Sequence, residues 1–210
     1  MRNPAALKSP VLRAGLTLAA FALLASTLLA SVHSCTAARI AEQVQREALI
    51  KLEQVVPPTL YSNDLLASGI ALPADTLGYR KPHTAYVARN SRGEAVAVAL
   101  PVRATDGYNG NIDLLVGIDI HGMILGVRVV RHKETPGLGD AIELRRTSWL
   151  LGFNGRSLDN TPRQRWAVKR DGGRFDQFTG ATITPRAVVG AVARSLQYFK
   201  DHCKQLLSRS

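Results

Sequence analysis

Cysteine is scarce in this sequence: only Cys35 and Cys203 occur among 210 residues. Two cysteines so far apart match neither a disulfide framework nor the close spacing of a metal-binding motif. The first lies at the end of a long apolar stretch and the second in a predicted helix, so we expect no bond between them. Histidine is also rare, with five residues in all, and we predict no metal site.

Acidic residues are missing from the first 41 positions, where the bases are Arg2, Lys8, Arg13 and Arg39. These four belong to a formal net charge of +11, which leaves +7 for the rest of the chain. The remaining bases are scattered rather than gathered into a patch with stacking aromatics, and aromatics make up only 6%. The composition therefore argues against a nucleic-acid partner. It favours a solvated surface near anionic lipid headgroups.

Charge and proline are both absent from "AGLTLAAFALLASTLLASV", the 19 residues Ala14–Val32. A helix rises about 1.5 Å per residue, so this stretch is long enough for the hydrocarbon core of a bilayer. The apolar part of a cleaved signal peptide is shorter, at about 7–15 residues. We therefore predict a signal anchor over residues 14–36, with a cleaved peptide as the alternative. The preceding bases place residues 1–13 in the cytoplasm and the following chain on the far side.

The segment after the span has an apolar stripe of Ile40, Val44, Ala48 and Leu52. This spacing predicts a helix that ends before Pro57 and that either continues the membrane helix or bends away from it. Residues 57–82 lack periodicity and are predicted to form a loop. Residues 37–78 are thus expected to be a linker, followed by one domain over 79–210.

Period-two alternation predicts four strands in that domain, at 84–90, 94–104, 111–120 and 123–132. The last two are joined by His121-Gly122, which suits a hairpin turn. A helix is predicted at 139–153, a short strand at 164–170 and an amphipathic helix at 185–207. This order predicts an α+β fold, in which a largely antiparallel sheet is packed by helices.

The chemistry-bearing stretch is "GGRFDQFTGATITPRAV", just before the last predicted helix. Pro185 suits the first helical position, which puts Thr184 at the N-cap and Thr182 two residues outside the helix. The first turn of a helix favours a phosphate, and Gly180 allows a ligand to approach the backbone. Local physics alone gives the simpler interpretation of a helix cap without a ligand.

Residues 176–182, "DQFTGAT", resemble the flavinylation motif D-x-x-[S/T]-G-A-T of exported flavoproteins. In that family a transferase uses FAD to join FMN, through its phosphate, to the hydroxyl of the last threonine, and AMP leaves. The resemblance implies covalent FMN on Thr182, with Thr179, Gly180 and Ala181 shaping the approach. It implies that Asp176 either is recognised by the flavin transferase or holds the loop.

A longer resemblance surrounds the motif. Residues 106–143 and 166–192 closely resemble the G subunit of the Rnf electron transport complex, also called Rsx. The likeness covers the membrane span and nearly all of residues 79–200, and it is weakest over 40–78. It implies that a segment near the flavin contributes contacts from Glu134, Thr135, Gly137 and Leu138. The alternative for that segment is a plain turn. Two roles are open for Trp166, stacking on the flavin and a buried core position, and the core position is the more frequent one for tryptophan. A lone histidine at the end of a strand, such as His132, is more often structural than an acid or base.

The resemblance also implies a function: a membrane-anchored flavoprotein subunit of an ion-translocating oxidoreductase, or translocase. It would relay electrons between ferredoxin and NAD, or keep a redox-sensing regulator reduced. The implied partners are other membrane and iron–sulfur subunits, the flavin transferase and the lipid bilayer. The implied location is the bacterial inner membrane, with a single span and a periplasmic C-terminal domain.

No nucleophile–base pair is present in the sequence, so no catalytic side chain is assigned. Two alternatives remain open at this point. One is the C subunit of a sodium-pumping NADH:quinone reductase, which shares the motif and the anchor. The other is an exported scaffold domain without redox function, in which "TGAT" is only a helix cap.

Overall fold

The computed structural model describes residues 10–208, except for the side chain of Ala38. The first nine residues of the predicted cytoplasmic segment lie outside this range. The chain divides into two compact units, with the boundary between Glu47 and Ala48. The second unit therefore begins before residue 79, and the predicted domain bounds stay a prediction from sequence.

Helix α1 (Pro10–Glu53) contains the predicted span and has 44 residues. It includes an apolar 18-residue window with a mean hydropathy of 2.0, none of which is buried by protein. By length and composition it could cross a membrane. The stripe from Ile40 to Leu52 belongs to this same helix, so of the two predicted possibilities the continuous helix is confirmed.

The second unit is built on one antiparallel sheet whose strand order follows the chain. Its strands are β1 (Gly69–Leu72), β2 (His83–Arg89), β3 (Ala95–Gly107), β4 (Gly110–Asp119) and β5 (Ile124–Arg131). The four predicted strands and the α+β class are confirmed. The predicted loop at 57–82 is wrong where β1 forms and where Pro58–Leu60 makes a 3-10 turn. A strand of four residues is too short to show alternation, and it exists because it pairs with β2.

Helix α2 (Ile183–Ser208) packs its apolar stripe against one face of the sheet. The stripe includes Val188, Val192, Leu196 and Phe199, all buried. This confirms the amphipathic helix, which begins two residues earlier than predicted. The other face of the sheet is covered by Leu52, Val55, Val56 and Leu65, which pack on small strand residues such as Ala97 and Ala99.

Two predicted elements between β5 and α2 are wrong. Residues 139–153 form two 3-10 helices, Gly139–Ile142 and Trp149–Phe153, instead of one α-helix. Residues 164–170 form 3-10 turns, Arg163–Arg165 and Lys169–Asp171, instead of a strand. Tertiary packing overrides the local pattern here, because these short turns let an aromatic cluster close over the core.

That aromatic cluster is formed by Trp149, Phe153, Trp166, Phe175 and Phe178. Trp166 is 7% exposed, and its indole N–H donates to the carbonyl of Thr161 at 3.0 Å. Since a buried indole needs such a partner, Trp166 is a core residue, as the sequence favoured.

Candidate functional site

A cavity of about 490 Å³ opens where the start of α2 meets the segment after β5. Its volume lies within the roughly 300–1,000 Å³ of small-molecule sites. The residues around it come from four separate parts of the chain: Tyr108; Glu134, Thr135, Leu138 and Gly139; Arg170; and Gly180, Ala181, Thr182, Ile183 and Thr184. We call it the Thr182 cavity.

The start of α2 differs from the prediction, because Thr184 is not its N-cap. The helix begins at Ile183, and the carbonyl of Thr182 accepts a hydrogen bond from the Arg186 amide at 3.3 Å. Thr184 is fully buried, and its hydroxyl donates to Oε2 of Glu134. A carboxylate is a stronger acceptor than a neutral group, which explains why it holds this hydroxyl. Thr182 therefore lies directly at the helix start.

Glu134 is an acidic residue in the cavity wall that is only 5% exposed. Its Oε1 accepts the Asn109 backbone N–H at 3.1 Å, and its Oε2 accepts the Thr184 hydroxyl. The Asn109 side-chain amide also donates to the Thr135 hydroxyl at 3.0 Å. Glu134 therefore joins the β3–β4 turn, the segment after β5 and the start of α2, which are three of the four parts that frame the cavity.

The approach to Thr182 is a tight turn. Gly180 has a φ of +79°, in the left-handed region that favours glycine. The Ala181 amide donates to the carbonyl of Phe178 at 3.1 Å. Thr182 is half-buried and lines the cavity. Its hydroxyl makes no hydrogen bond with any other residue that the structure describes. It is thus available for chemistry from the cavity side.

The charges around the cavity are unequally neutralised. Lys169 pairs with Asp176 at 2.5 Å. Arg186 pairs with Asp171 at 2.7 Å, and its hydrogen bond lowers the pKa of that carboxyl. Arg170 lines the cavity; it makes no direct ion pair with a carboxylate in the described part of the chain, although its charge helps to lower the pKa of Asp171. It is therefore the cation best placed to meet an anionic group beside the start of α2.

Six of the nine predicted contact residues lie on the cavity: Glu134, Thr135, Leu138, Gly180, Ala181 and Thr182. The other three, Gly137, Thr179 and Asp176, do not line it. The Gly137 amide donates to Asp140 Oδ1 at 2.7 Å within a turn, and Thr179 is exposed. Besides pairing with Lys169, Asp176 accepts the Trp149 indole N–H through its carbonyl at 2.8 Å, which suits the loop-holding alternative. The cofactor contacts of all nine stay predictions.

Five residues of the lining were not predicted as contacts: Tyr108, Gly139, Arg170, Ile183 and Thr184. No sequence pattern around Tyr108 or Arg170 indicates that it lines a ligand site, because only the fold brings their segments to the cavity. The prediction that Thr184 caps α2 was wrong, because its position before Pro185 fits a capping motif. The actual partner of its hydroxyl, Glu134, lies 50 positions away.

His132 has a structural role, as the sequence favoured. Its Nε2 lies 2.7 Å from Oε1 of Glu143, and its Nδ1 accepts the Glu134 amide at 3.1 Å. Arg145 bonds the other oxygen of the same carboxylate. The hydrogen bond from Arg145 and then that from His132 lower the pKa of Glu143 to about 2.

Comparison with known proteins identifies the families that the two parts of the chain resemble. Residues 107–197 match the model of the FMN-binding domain family, a range that includes β4, β5 and most of α2. The second unit thus contains an FMN-binding domain. A further model, the RnfG N-terminal region, matches residues 1–55.

Curated relatives extend the match to nearly the whole chain. The G subunit of the ion-translocating oxidoreductase complex of Shewanella loihica is 48% identical over 204 residues, covering 97% of this chain and 96% of that protein. Proteins of the same name from Photorhabdus laumondii and Vibrio cholerae are 50% and 47% identical, covering 93% and 91% of this chain and 95% and 91% of their own length. The chain belongs to this family, the G subunits of ion-translocating oxidoreductase complexes.

Among solved structures, the crystal structure of Shewanella oneidensis NqrC covers 76% of this chain and 74% of that chain, with 20% identity and a TM-score of 0.48.

Proposed function

We propose that Thr182 carries FMN as a phosphoester and that this chain relays electrons within an ion-translocating oxidoreductase complex. The observation that carries the proposal is the Thr182 hydroxyl, which has no hydrogen-bond partner in the described chain and lines a cavity of about 490 Å³ at the start of a helix. The match to the FMN-binding domain family supports the identity of the ligand.

The donor groups of the cavity fit FMN. The first backbone N–H groups of α2 and the guanidinium of Arg170 suit a phosphate attached at Thr182. Leu138, Ile183 and Tyr108 are 46%, 43% and 65% exposed, and they offer apolar surface at the mouth for a flat aromatic ring. The cavity therefore combines a polar end for a phosphate with an apolar rim.

The attachment step uses FAD and a flavin transferase. The Thr182 hydroxyl oxygen attacks the phosphorus on the riboflavin side of the diphosphate and forms a new P–O bond. The anhydride bond breaks, AMP leaves with the electron pair, and the hydroxyl proton passes to the transferase or to water. Thr179 and Gly180 are exposed, so the loop is open to a second enzyme. Only a hydroxyl side chain at this position can make the ester.

FMN supplies one- and two-electron chemistry when it is bound. The chain itself positions the ligand. Glu134 and Thr184 fix the start of α2, and hence Thr182, against the segment after β5. No residue of the described chain is assigned a catalytic role.

We further propose the cellular setting that the sequence implies. α1 anchors the chain in the bacterial inner membrane, with the N-terminus in the cytoplasm and the second unit in the periplasm, because the bases precede the apolar window. The partners include iron–sulfur subunits, and the electrons pass between ferredoxin and NAD or keep a redox sensor reduced.

Intact mass and peptide mapping of protein purified from its native membrane test the attachment. We expect an increase equal to FMN less one water, located on Thr182, and its loss in Thr182→Val. Thr59→Val is the control, because it removes an exposed hydroxyl outside the motif and the Thr182 cavity and should keep the added mass. An unmodified Thr182 in a host that has the transferase would refute the proposal and favour the scaffold alternative.

A further inference from the structure

A second cavity, of about 510 Å³, lies beside β5 and shares no residue with the Thr182 cavity. We call it the β5-edge pocket. It combines apolar strand residues with several ionisable groups, and its lining consists of Gln54, Arg128, Val129, Val130, His132, Glu143, Leu144 and Arg145.

Arg128 is the unusual member of this pocket. Its side chain is half-buried, and its Nε is buried without a hydrogen-bond partner. Among the described residues, only the Val127 carbonyl accepts a hydrogen bond from this side chain, from Nη1 at 2.8 Å. No carboxylate in the described part of the chain pairs with it, and burial lowers the pKa of its guanidinium. A partly desolvated charge without a counter-ion is costly, which favours an anion beside Arg128 in this pocket.

The one acidic residue of the pocket cannot serve Arg128. Glu143 accepts His132 on Oε1 and Arg145 on Oε2. Both of its oxygens are therefore used by other bases. The β5-edge pocket thus has an excess of positive charge.

The strand beside the pocket has an open edge. β5 is the last strand of the sheet and pairs only with β4. On its other edge, Ile124 exchanges hydrogen bonds of 2.8 Å with Gly155 and Arg156. From 125 to 131, no backbone hydrogen bond joins this edge to another described segment. Val130 and Leu144 are 40% and 39% exposed beside it. An open edge with apolar neighbours can accept another strand.

We propose that the β5-edge pocket is the docking site for an acidic, extended segment of another subunit of the same complex. That segment adds to the edge of β5 through backbone hydrogen bonds and places an Asp or Glu carboxylate against the part of the Arg128 side chain that lines the pocket. An apolar side chain of the segment packs on Val130 and Leu144. The excess of positive charge selects an acidic partner. The proposal rests on membership of a family of complex subunits, not on the attachment of FMN.

Arg128→Gln in the complex purified from native membranes tests the charge pair. We expect retention of a partner subunit to weaken by about 10-fold or more, since removing one member of a buried charge pair is costly. Arg92→Gln is the control, because it removes the same charge from the exposed β2–β3 turn. Equal retention in the two variants would overturn the proposal.

The full-length protein, purified without its partners, separates docking from folding. Because Arg128 has no counter-ion in the free chain, Arg128→Gln should unfold at the same or a higher denaturant concentration than the parent. A lower unfolding midpoint would indicate that Arg128 supports the fold itself, and the docking proposal would fail.

A photo-cross-linking amino acid in place of Val130, in the assembled complex, identifies the occupant. We expect a cross-linked peptide from another subunit that contains Asp or Glu, and no such product from the same probe at Arg92. Products limited to lipid, to a second copy of this chain or to no partner would contradict the proposal. The mass of the FMN adduct on Thr182 should be unchanged throughout, so the two proposals fail independently.

Discussion

Glu134 and Thr184 are 50 residues apart in the chain and form one buried polar pair. A buried carboxylate needs several donors, and here Thr184 and the Asn109 amide supply them. Both residues line the same cavity as Thr182. At the residue scale, the position of the proposed attachment site therefore depends on a hydrogen bond that no local pattern indicates.

Thr184→Val should destabilise the protein, because it leaves Oε2 of Glu134 buried without its donor. The expected loss is about 1.5–3 kcal/mol in the free energy of unfolding, measured by chemical denaturation. Thr184→Ser is the matched control, since it retains the hydroxyl and should lose less. Equal losses in the two variants would show that the methyl contact, not the hydrogen bond, stabilises the site.

At the scale of elements, the chain after α1 packs closely on the sheet. Val55 is fully buried, and its carbonyl oxygen would overlap the first atom of any side chain on Gly117. A Cβ atom added to Gly126 of the neighbouring strand would lie 3.1 Å from the backbone of Gln54 and Val55 in the same segment. Glycine at these positions is what allows the segment to cover the second face of the sheet.

Gly117→Ala should therefore displace the 52–56 segment or distort β4. We expect a loss of about 1–3 kcal/mol or more in the free energy of unfolding, as for other overpacked cores. Gly152→Ala is the control, because its added methyl group would meet no atom within 4 Å. Thermal unfolding of both variants measures the difference. Equal melting temperatures would contradict the close approach.

At the scale of the whole molecule, the proposed membrane orientation rests on the charges that flank the apolar helix α1. A periplasm-active reporter, such as alkaline phosphatase, fused after Ser210 should be active in cells. Replacing Arg2, Lys8 and Arg13 with Gln should reduce this activity, because it removes the bases on which the proposed cytoplasmic location of the N-terminus depends. Replacing three bases of the second unit, Arg80, Arg92 and Arg156, with Gln serves as the control. An inactive reporter on the parent protein would contradict the proposed orientation and indicate that the C-terminal end lies in the cytoplasm.

Acid stability is also a property of the whole second unit. The pKa of Glu143 is lowered to about 2 from its ordinary 4.5 by Arg145 and then by His132. Its ion pairs therefore contribute fully above about pH 4.5, and this contribution is lost as the pH falls towards 2. Urea midpoints should decrease over that interval, and less steeply in Glu143→Gln. An unchanged pH dependence in this variant would show that Glu143 is not a determinant of acid stability.

Patterns that repeat within a few residues were readable from the sequence: the apolar length of α1, the alternation of β2 to β5, the stripe of α2 and the motif that ends at Thr182. Each depends on neighbours along the chain. Membership of the RnfG-type family was also readable, because its motifs are contiguous.

Only tertiary structure decided the features that depend on distant partners. β1 forms because β2 offers it an edge, and the segments at 139–153 and 163–171 become 3-10 turns under the aromatic cluster. Thr184 turns to Glu134 instead of capping α2, and Arg170 and Tyr108 reach the cavity from far along the chain. The physical reason is that burial and hydrogen bonding between remote segments outweigh local preference, and no short window of sequence contains both partners.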